Sequence, residues 1–161
     1  MTQQELLHVS VCRVSGPNTQ LCRMCLTVKP LTAFSKHKAT ANDHLSYCRR
    51  CDKIKHQLWK SDLHSRMKQR FYKQQNGLCP VCGRTIDLTQ TGSGASTPVL
   101  DHPHSAEAMH SVQTLAAAMT GLLHNNCNKA IGLFADNPAA LRRAARYIEH
   151  TRDDRQQQLD V

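Results

Sequence analysis

Val99-Leu100-Asp101-His102-Pro103-His104 and Gly121-Leu122-Leu123-His124-Asn125-Asn126-Cys127-Asn128 are the two stretches whose reading decides the fold of this chain. Each opens on a short apolar run and ends on side chains that bind metals or move protons. Pro98-Val99-Leu100 and Thr120 to Leu123 are expected as short strands, and Cys127 to Phe134 as a helix. Upstream, Asn76-Gly77 stops a preceding helix and leads into Cys79-Pro80-Val81-Cys82-Gly83, a knuckle-like turn that presents two thiolates. Downstream of that turn only Cys127 offers a third thiolate. The fourth ligand is sought in His124, which forms His-x-x-Cys with Cys127, because imidazole is an ordinary zinc ligand. Cys79, Cys82, His124 and Cys127 thus predict a Cys3His zinc site. The plainer alternative is that His124 is a polar residue at a strand end.

Asp101 and Asn128 lie between and beside these ligands. A hard cation such as Mg²⁺ takes carboxylate and amide oxygens and keeps waters for a phosphate, so the two fit as its protein ligands, with Mn²⁺ as a substitute. His102 has an ordinary pKa near neutrality and could take a proton from an attacking water. A zinc site joining strand and helix ends would hold Asp101 and Asn128 at a fixed separation. Alone, Asp-His-x-His is a weak signal.

Outward toward the N-terminus, the chain carries two more Cys-x-x-Cys pairs, Cys22/Cys25 and Cys48/Cys51. Together they predict a closed four-cysteine zinc site, worth on the order of 10 kcal/mol of folding free energy to a unit with little core of its own. A redox pair or unliganded structural cysteines are the alternatives. Residues 1–20 lack the basic start and apolar run of a signal peptide, and no stretch is long and apolar enough to span a bilayer. Paired cysteines in an intracellular chain read as metal ligands rather than disulfides. Cys12 has no evident partner.

Charge divides the chain. The net charge is +9, but residues 1–75 hold 14 Lys/Arg against 4 Asp/Glu, whereas residues 76–161 hold 7 against 8. A basic half joined to a near-neutral half implies a polyanion-gripping arm, with plain solubility as the alternative. From Asp52 to Gln75 a helix or a pair of helices is expected. Ile54, Leu58, Leu63, Met67 and Phe71 form its apolar stripe, Ser61-Asp62 is a break, and basic residues fill the other faces. These Lys and Arg side chains, within residues 49–73, are read as phosphate contacts. Trp59 is read as a core or interface residue in preference to a base-stacking one. Near the C-terminus, Asn137-Pro138 opens a helix with Leu141, Ala145 and Ile148 on one face.

Residues 76–149 resemble the recombination endonuclease VII family of bacteriophages, within the His-Me finger, HNH-like nucleases. The matching stretches run from Asn76 to Gly83, Leu100 to His104, Gly121 to Asn128 and Gly132-Leu133-Phe134, followed by Asp136-Asn137-Pro138. The resemblance implies a β-hairpin followed by a helix, with His102 as general base, Asp101 and Asn128 as Mg²⁺ ligands, His104 as a phosphate-contacting or assisting histidine, and zinc in a structural role only. Four departures stand out: Pro103 replaces a second Asp, and His124 stands where Cys is usual. Ile131 occupies a position that can carry a metal-site Glu, and the segment from Ser105 to Thr120 is long. Residues 21–56 also resemble a short zinc domain found ahead of phage nuclease domains, through the two cysteine pairs and Lys29-Pro30-Leu31-Thr32-x-Phe34. Phe34 is expected to pack over the zinc unit.

The expected architecture is therefore a small α+β, zinc-stabilised chain. It comprises a flexible N-terminus (1–20), a zinc-binding accessory domain (21–56), a basic helical linker (57–75), a ββα-metal nuclease domain (76–150) and a C-terminal tail (151–161). The expected function is a Mg²⁺-dependent DNA endonuclease with two structural zinc ions. It would be phage-encoded, act in the host cytoplasm, make no membrane contact and be able to form a homodimer. RNA as substrate stays open. The rival reading is a zinc-dependent DNA-binding adaptor or regulator without catalysis.

Overall fold

In a computed structural model of the chain, residues 18–40 and 42–159 are described. Cys12 and most of the segment read as a flexible N-terminus lie outside the described residues. Strand β1 (Thr19–Leu21) pairs antiparallel with β2 (Val28–Pro30). The turn between them is the first knuckle. Cys22 N–H donates to the Thr27 carbonyl at 3.0 Å and Leu26 N–H donates to the Cys22 carbonyl at 2.8 Å. The Cys79–Cys82 turn repeats this pattern: Cys79 N–H donates to Arg84 O at 2.9 Å and Gly83 N–H donates to Cys79 O at 2.8 Å. Both turns need a left-handed residue at the same place. Gly83 supplies it at φ 69°, whereas Leu26 adopts φ 50° at the steric cost of a Cβ.

Strands β3 (Phe34–Lys36) and β4 (His44–Cys48) form a second hairpin with a register irregularity. Phe34 lies opposite Cys48 and is fully buried, as expected of an aromatic cover for this unit. Cys48 then serves as the extended residue that opens helix α1 (Arg49–Trp59). The helix starts three residues ahead of the expected Asp52 because the cysteine turn itself delivers the chain into helical geometry. Ligand Cys51 therefore sits in the first turn of α1.

Helix α2 (Asp62–Gln74) follows after the break at Ser61. The Ser61 hydroxyl does not cap α2; it donates back to the Leu58 carbonyl at 2.6 Å. Ile54, Leu58, Met67 and Phe71 are buried, and Leu63 packs against them, so the 3.6-residue apolar stripe is the core face of both helices. Trp59, one residue beyond buried Leu58, is rotated out of that stripe and is 52% exposed, which removes the core half of its core-or-interface reading. Gly77 ends the segment at φ 70°, where an added Cβ would stand 3.0 Å from the Tyr72 ring.

Strands β5 (Pro98–Asp101) and β6 (Gly121–His124) form the third hairpin, with Leu100 opposite Leu122 and Asp101 opposite Gly121. The long connection between them is folded. It contains a 3-10 turn (Ala108–His110) and helix α3 (Val112–Ala117), which opens on a Ser111/Thr114 capping box. Met109, Leu115 and Met119 bury this insert, which packs on α1, and Arg50 Nη2 donates to the His110 carbonyl at 3.1 Å. Helix α4 (Asn125–Leu133) leaves β6 directly and packs on both strands. Helix α5 (Pro138–Leu159) is capped by Asn137, whose Oδ1 accepts from Ala139 N–H at 2.9 Å and from Ala140 N–H at 3.1 Å. It contains no glycine or proline after Pro138, so it continues through most of the segment expected as a tail.

The hairpin is tied to α2 by one side chain. Leu122 presents its N–H and C=O at the outer edge of β6, where the Gln75 amide takes both at 2.8 Å, as an added strand would. Gly121 leaves the room: a Cβ there would lie 3.2 Å from Gln75 Oε1. Gln75→Leu strands two backbone groups, so a destabilisation of about 1–3 kcal/mol is expected. A fall in the melting temperature followed by circular dichroism checks it, and an unchanged melting curve contradicts the clamp.

Candidate active centre and its metal clusters

The fold gathers all eight predicted soft-metal ligands into two groups of four, Cys22/Cys25/Cys48/Cys51 and Cys79/Cys82/His124/Cys127, with the ligand atoms of each group within 4.8 Å of one another. The described cysteines are free thiols. In the first group Cys22 Sγ lies 3.8 Å and Cys48 Sγ 3.5 Å from Cys51 Sγ. Zinc–thiolate bonds of ~2.3 Å in a tetrahedron place sulfurs about 3.8 Å apart, whereas a disulfide requires about 2.05 Å. Donor set and edge lengths thus fit a tetrahedral ion. Cys48 N–H points at Cys22 Sγ at 3.3 Å, offering a hydrogen bond to the thiolate.

In the second group His124 is buried at the end of β6. Its Nε2 is 3.1 Å from the Thr85 carbonyl and its Nδ1 is 3.3 Å from Cys82 Sγ. Donation from Nε2–H to Thr85 leaves the Nδ1 lone pair aimed among the thiolates, the orientation a ligating imidazole needs. The Arg84 guanidinium hydrogen-bonds Cys82 and holds that exposed thiol down to about 5, in the thiolate form that metals take.

The predicted acid–base stretch leaves the end of β5. Asp101 is the last residue of the strand, half-buried, with its Oδ2 accepting from the Thr120 hydroxyl at 2.6 Å while Thr120 N–H donates to the Asp101 carbonyl at 3.0 Å. One carboxylate oxygen is oriented and the other is left for a ligand. His102 is half-buried, and its Nε2 is sealed from solvent without a hydrogen-bond partner. Burial pushes its pKa below the ordinary imidazole value, with His104 adding to the shift and Asp101 opposing it. The exposed His104 ring stands edge-on to His102, 5.3 Å between centroids. Asn128 sits one turn into α4, half-buried, directly after ligand Cys127. The helix that carries it packs on both β5 and β6. The oxygens of Asp101 and Asn128 could hold a hard cation there.

Sequence reasoning missed three contributors. Thr120 orients Asp101, and the signal was its place just before Gly121, the residue paired with Asp101. Lys55 brings a positive charge from α1 to bear on His102. Gln75, a polar residue at a helix end, carried no signal at all. Ile131, at the position where a further acidic ligand could sit, packs against the core instead. The basic side chains form two open surfaces. Arg50 and Lys53 face the insert across a groove shared with His110 and Gln113, while Arg66, Arg70 and Lys73 line the outer side of α2. No helix among the described residues is long and apolar enough to cross a membrane.

The chain resembles a solved ββα-Me type II restriction endonuclease, Hpy99I, at 22% identity over 84% of this chain and 68% of that one, with a TM-score of 0.37. No curated protein matches the sequence. The sequence model described as Recombination endonuclease VII matches residues 52–150, which takes in most of α1, all of α2, the second metal cluster and the Asp101–Asn128 stretch. With more than half of its residues inside that match, the chain belongs to the recombination endonuclease VII family and is an endonuclease.

Proposed function

We propose that this endonuclease hydrolyses phosphodiester bonds in DNA, with Mg²⁺ as catalytic ion and zinc in both four-ligand clusters. The observation that carries the reading is Asp101-His102 at the end of β5, with Asp101 oriented by Thr120, beside a helix that starts between ligands His124 and Cys127. Asp101 and Asn128 would hold the ion, which would supply Lewis-acid polarisation of the scissile phosphate and stabilise the leaving oxygen. His102 accepts the proton of the attacking water, and its lowered pKa keeps it neutral for that task near pH 7. His104, exposed beside it, is placed to contact the phosphate. The basic faces of α1 and α2 contact the DNA backbone without reading its sequence. The division of labour is an accessory zinc domain (21–56), a helical segment (57–75) and a catalytic domain (76–150), and a phage product acting in its host's cytoplasm is the setting we infer. The alternative, a zinc-dependent DNA-binding adaptor without catalysis, draws on Ile131 and predicts no plasmid nicking.

Three outcomes are expected. Washed protein carries two zinc ions per chain by elemental analysis, and His124→Ala loses one of them; a count of one or none in the wild type contradicts the second cluster. His102→Ala loses about 100-fold or more in Mg²⁺-dependent plasmid nicking while its zinc content stays at the wild-type value. His102 must be unprotonated to act, so wild-type turnover rises as pH climbs through its lowered pKa and is level above it. Nicking lost in His104→Ala but kept in His102→Ala reassigns the base, and nicking by both variants leaves neither histidine as the base. Neutralising Arg49, Lys53 and Lys73 together weakens DNA binding and flattens its salt dependence, by a slope of about 0.9 per phosphate contact removed. An unchanged salt slope in a filter-binding titration counts against these contacts.

A further inference from the structure

Trp59 is the only tryptophan in the chain and lies 52% exposed at the end of α1. Its neighbours fix it rather than cover it. The Lys55 ammonium stands over its ring, 4.7 Å from the centroid, and also over the Tyr47 ring at 4.0 Å. That ammonium is held by Asp52 at 3.8 Å on a side chain only 14% exposed. The His56 imidazole meets the indole edge-on at 5.8 Å and is anchored by its own contact with Asp52 at 3.0 Å. A half-exposed indole flanked by Lys55 and His56 thus projects from the end of α1, next to exposed Lys60 and on a helix that also exposes Arg49, while Arg50 and Lys53 face the insert.

We propose that Trp59 is a stacking platform for an unpaired nucleobase, so that the α1 surface binds a single-stranded stretch of the DNA. The proposal rests on the reading of the chain as a DNA endonuclease and adds the form of DNA it engages. Charge complementarity selects the occupant. A second copy of this chain would bring the same cations against α1, and an apolar partner would have to desolvate them. A nucleic-acid strand brings phosphates to the cations and a π-face to the indole in a single ligand. Duplex DNA keeps its base faces stacked inside the helix, so it can use the cations but not the indole.

The experiment uses the full-length zinc-loaded protein without added Mg²⁺, so that binding is read apart from cleavage. Trp59 emission is followed during titration with a thymidine oligonucleotide and with a blunt, fully paired duplex of equal phosphate number, while fluorescence anisotropy of labelled DNA reports occupancy. The single strand is expected to quench Trp59 as it binds and the duplex to leave it nearly unchanged. Trp59→Ala should lower single-strand affinity about 10-fold or more, the effect of one lost base stack, and Trp59→Phe should keep most of it. The ratio of single-strand to duplex affinity should fall by the same factor in Trp59→Ala, in protein whose zinc content and circular dichroism match the wild type. Saturation by the oligonucleotide without a change in emission, or equal losses on both DNAs, overturns the proposal. So does sedimentation showing a wild-type dimer that Trp59→Ala abolishes, since a second copy would then occupy the site. Plasmid nicking by the wild-type protein decides the endonuclease reading separately, whatever the titration gives.

Discussion

The ligand group Cys79/Cys82/His124/Cys127 carries the constraint on which the rest of the catalytic half depends. Two of its members end a helix-to-turn segment and two flank the junction where β6 becomes α4. Joining them fixes the direction in which α4 leaves the hairpin, and with it the placement of Asn128 relative to the end of β5. A chain with 4% aromatic residues cannot do this by apolar burial alone. The supporting hydrogen bonds have the same purpose: His124 Nε2 on Thr85 sets the imidazole, and Arg84 holds Cys82 as a thiolate. Geometry that a larger protein would obtain from its core is here obtained from four coordinating atoms and the groups that orient them.

The N-terminal cysteine unit joins this arrangement through helix α1 rather than standing apart from it. Cys48 opens the helix and Cys51 lies in its first turn, so the first cluster fixes the start of α1. Further along, the same helix packs on the insert between β5 and β6. The insert is therefore a docking element between the two cysteine-stabilised halves. This explains why it is long: it must reach from the end of Asp101 across to α1 and return to Thr120. The match to the recombination endonuclease VII family begins at Asp52, inside α1, which is consistent with helices that belong structurally to both halves.

Much of the site was legible because its chemistry depends on residue type and short-range spacing. Cys-x-x-Cys turns declare themselves through the knuckle geometry that thiolate ligation needs, and an Asp-His pair ending a β-prone run declares itself through the strand that exposes it. His124 falls in with the three cysteines because counting ligands for a tetrahedron leaves one place for an imidazole. Trp59 lies outside the core because a single residue step past buried Leu58 turns it outward, so of the core-or-interface reading only the surface half stays open. Helix starts were off by a few residues because propensity does not register that a cysteine turn already supplies the first helical geometry.

What the sequence by itself determined is the inventory of local chemistry: two sets of metal ligands, a strand–helix unit with Asp101, His102 and Asn128 on it, and a basic amphipathic helical pair. These follow from periodicity and from spacings of a few residues, where covalent geometry limits the options. The tertiary structure alone decided which distant groups meet. Gln75 on the edge of β6, Thr120 on Asp101 and Arg50 on the insert are contacts between residues 19 to 60 positions apart. Each depends on the packing angle between elements, which the metal clusters and the buried stripe set together, and a one-dimensional pattern does not encode an angle.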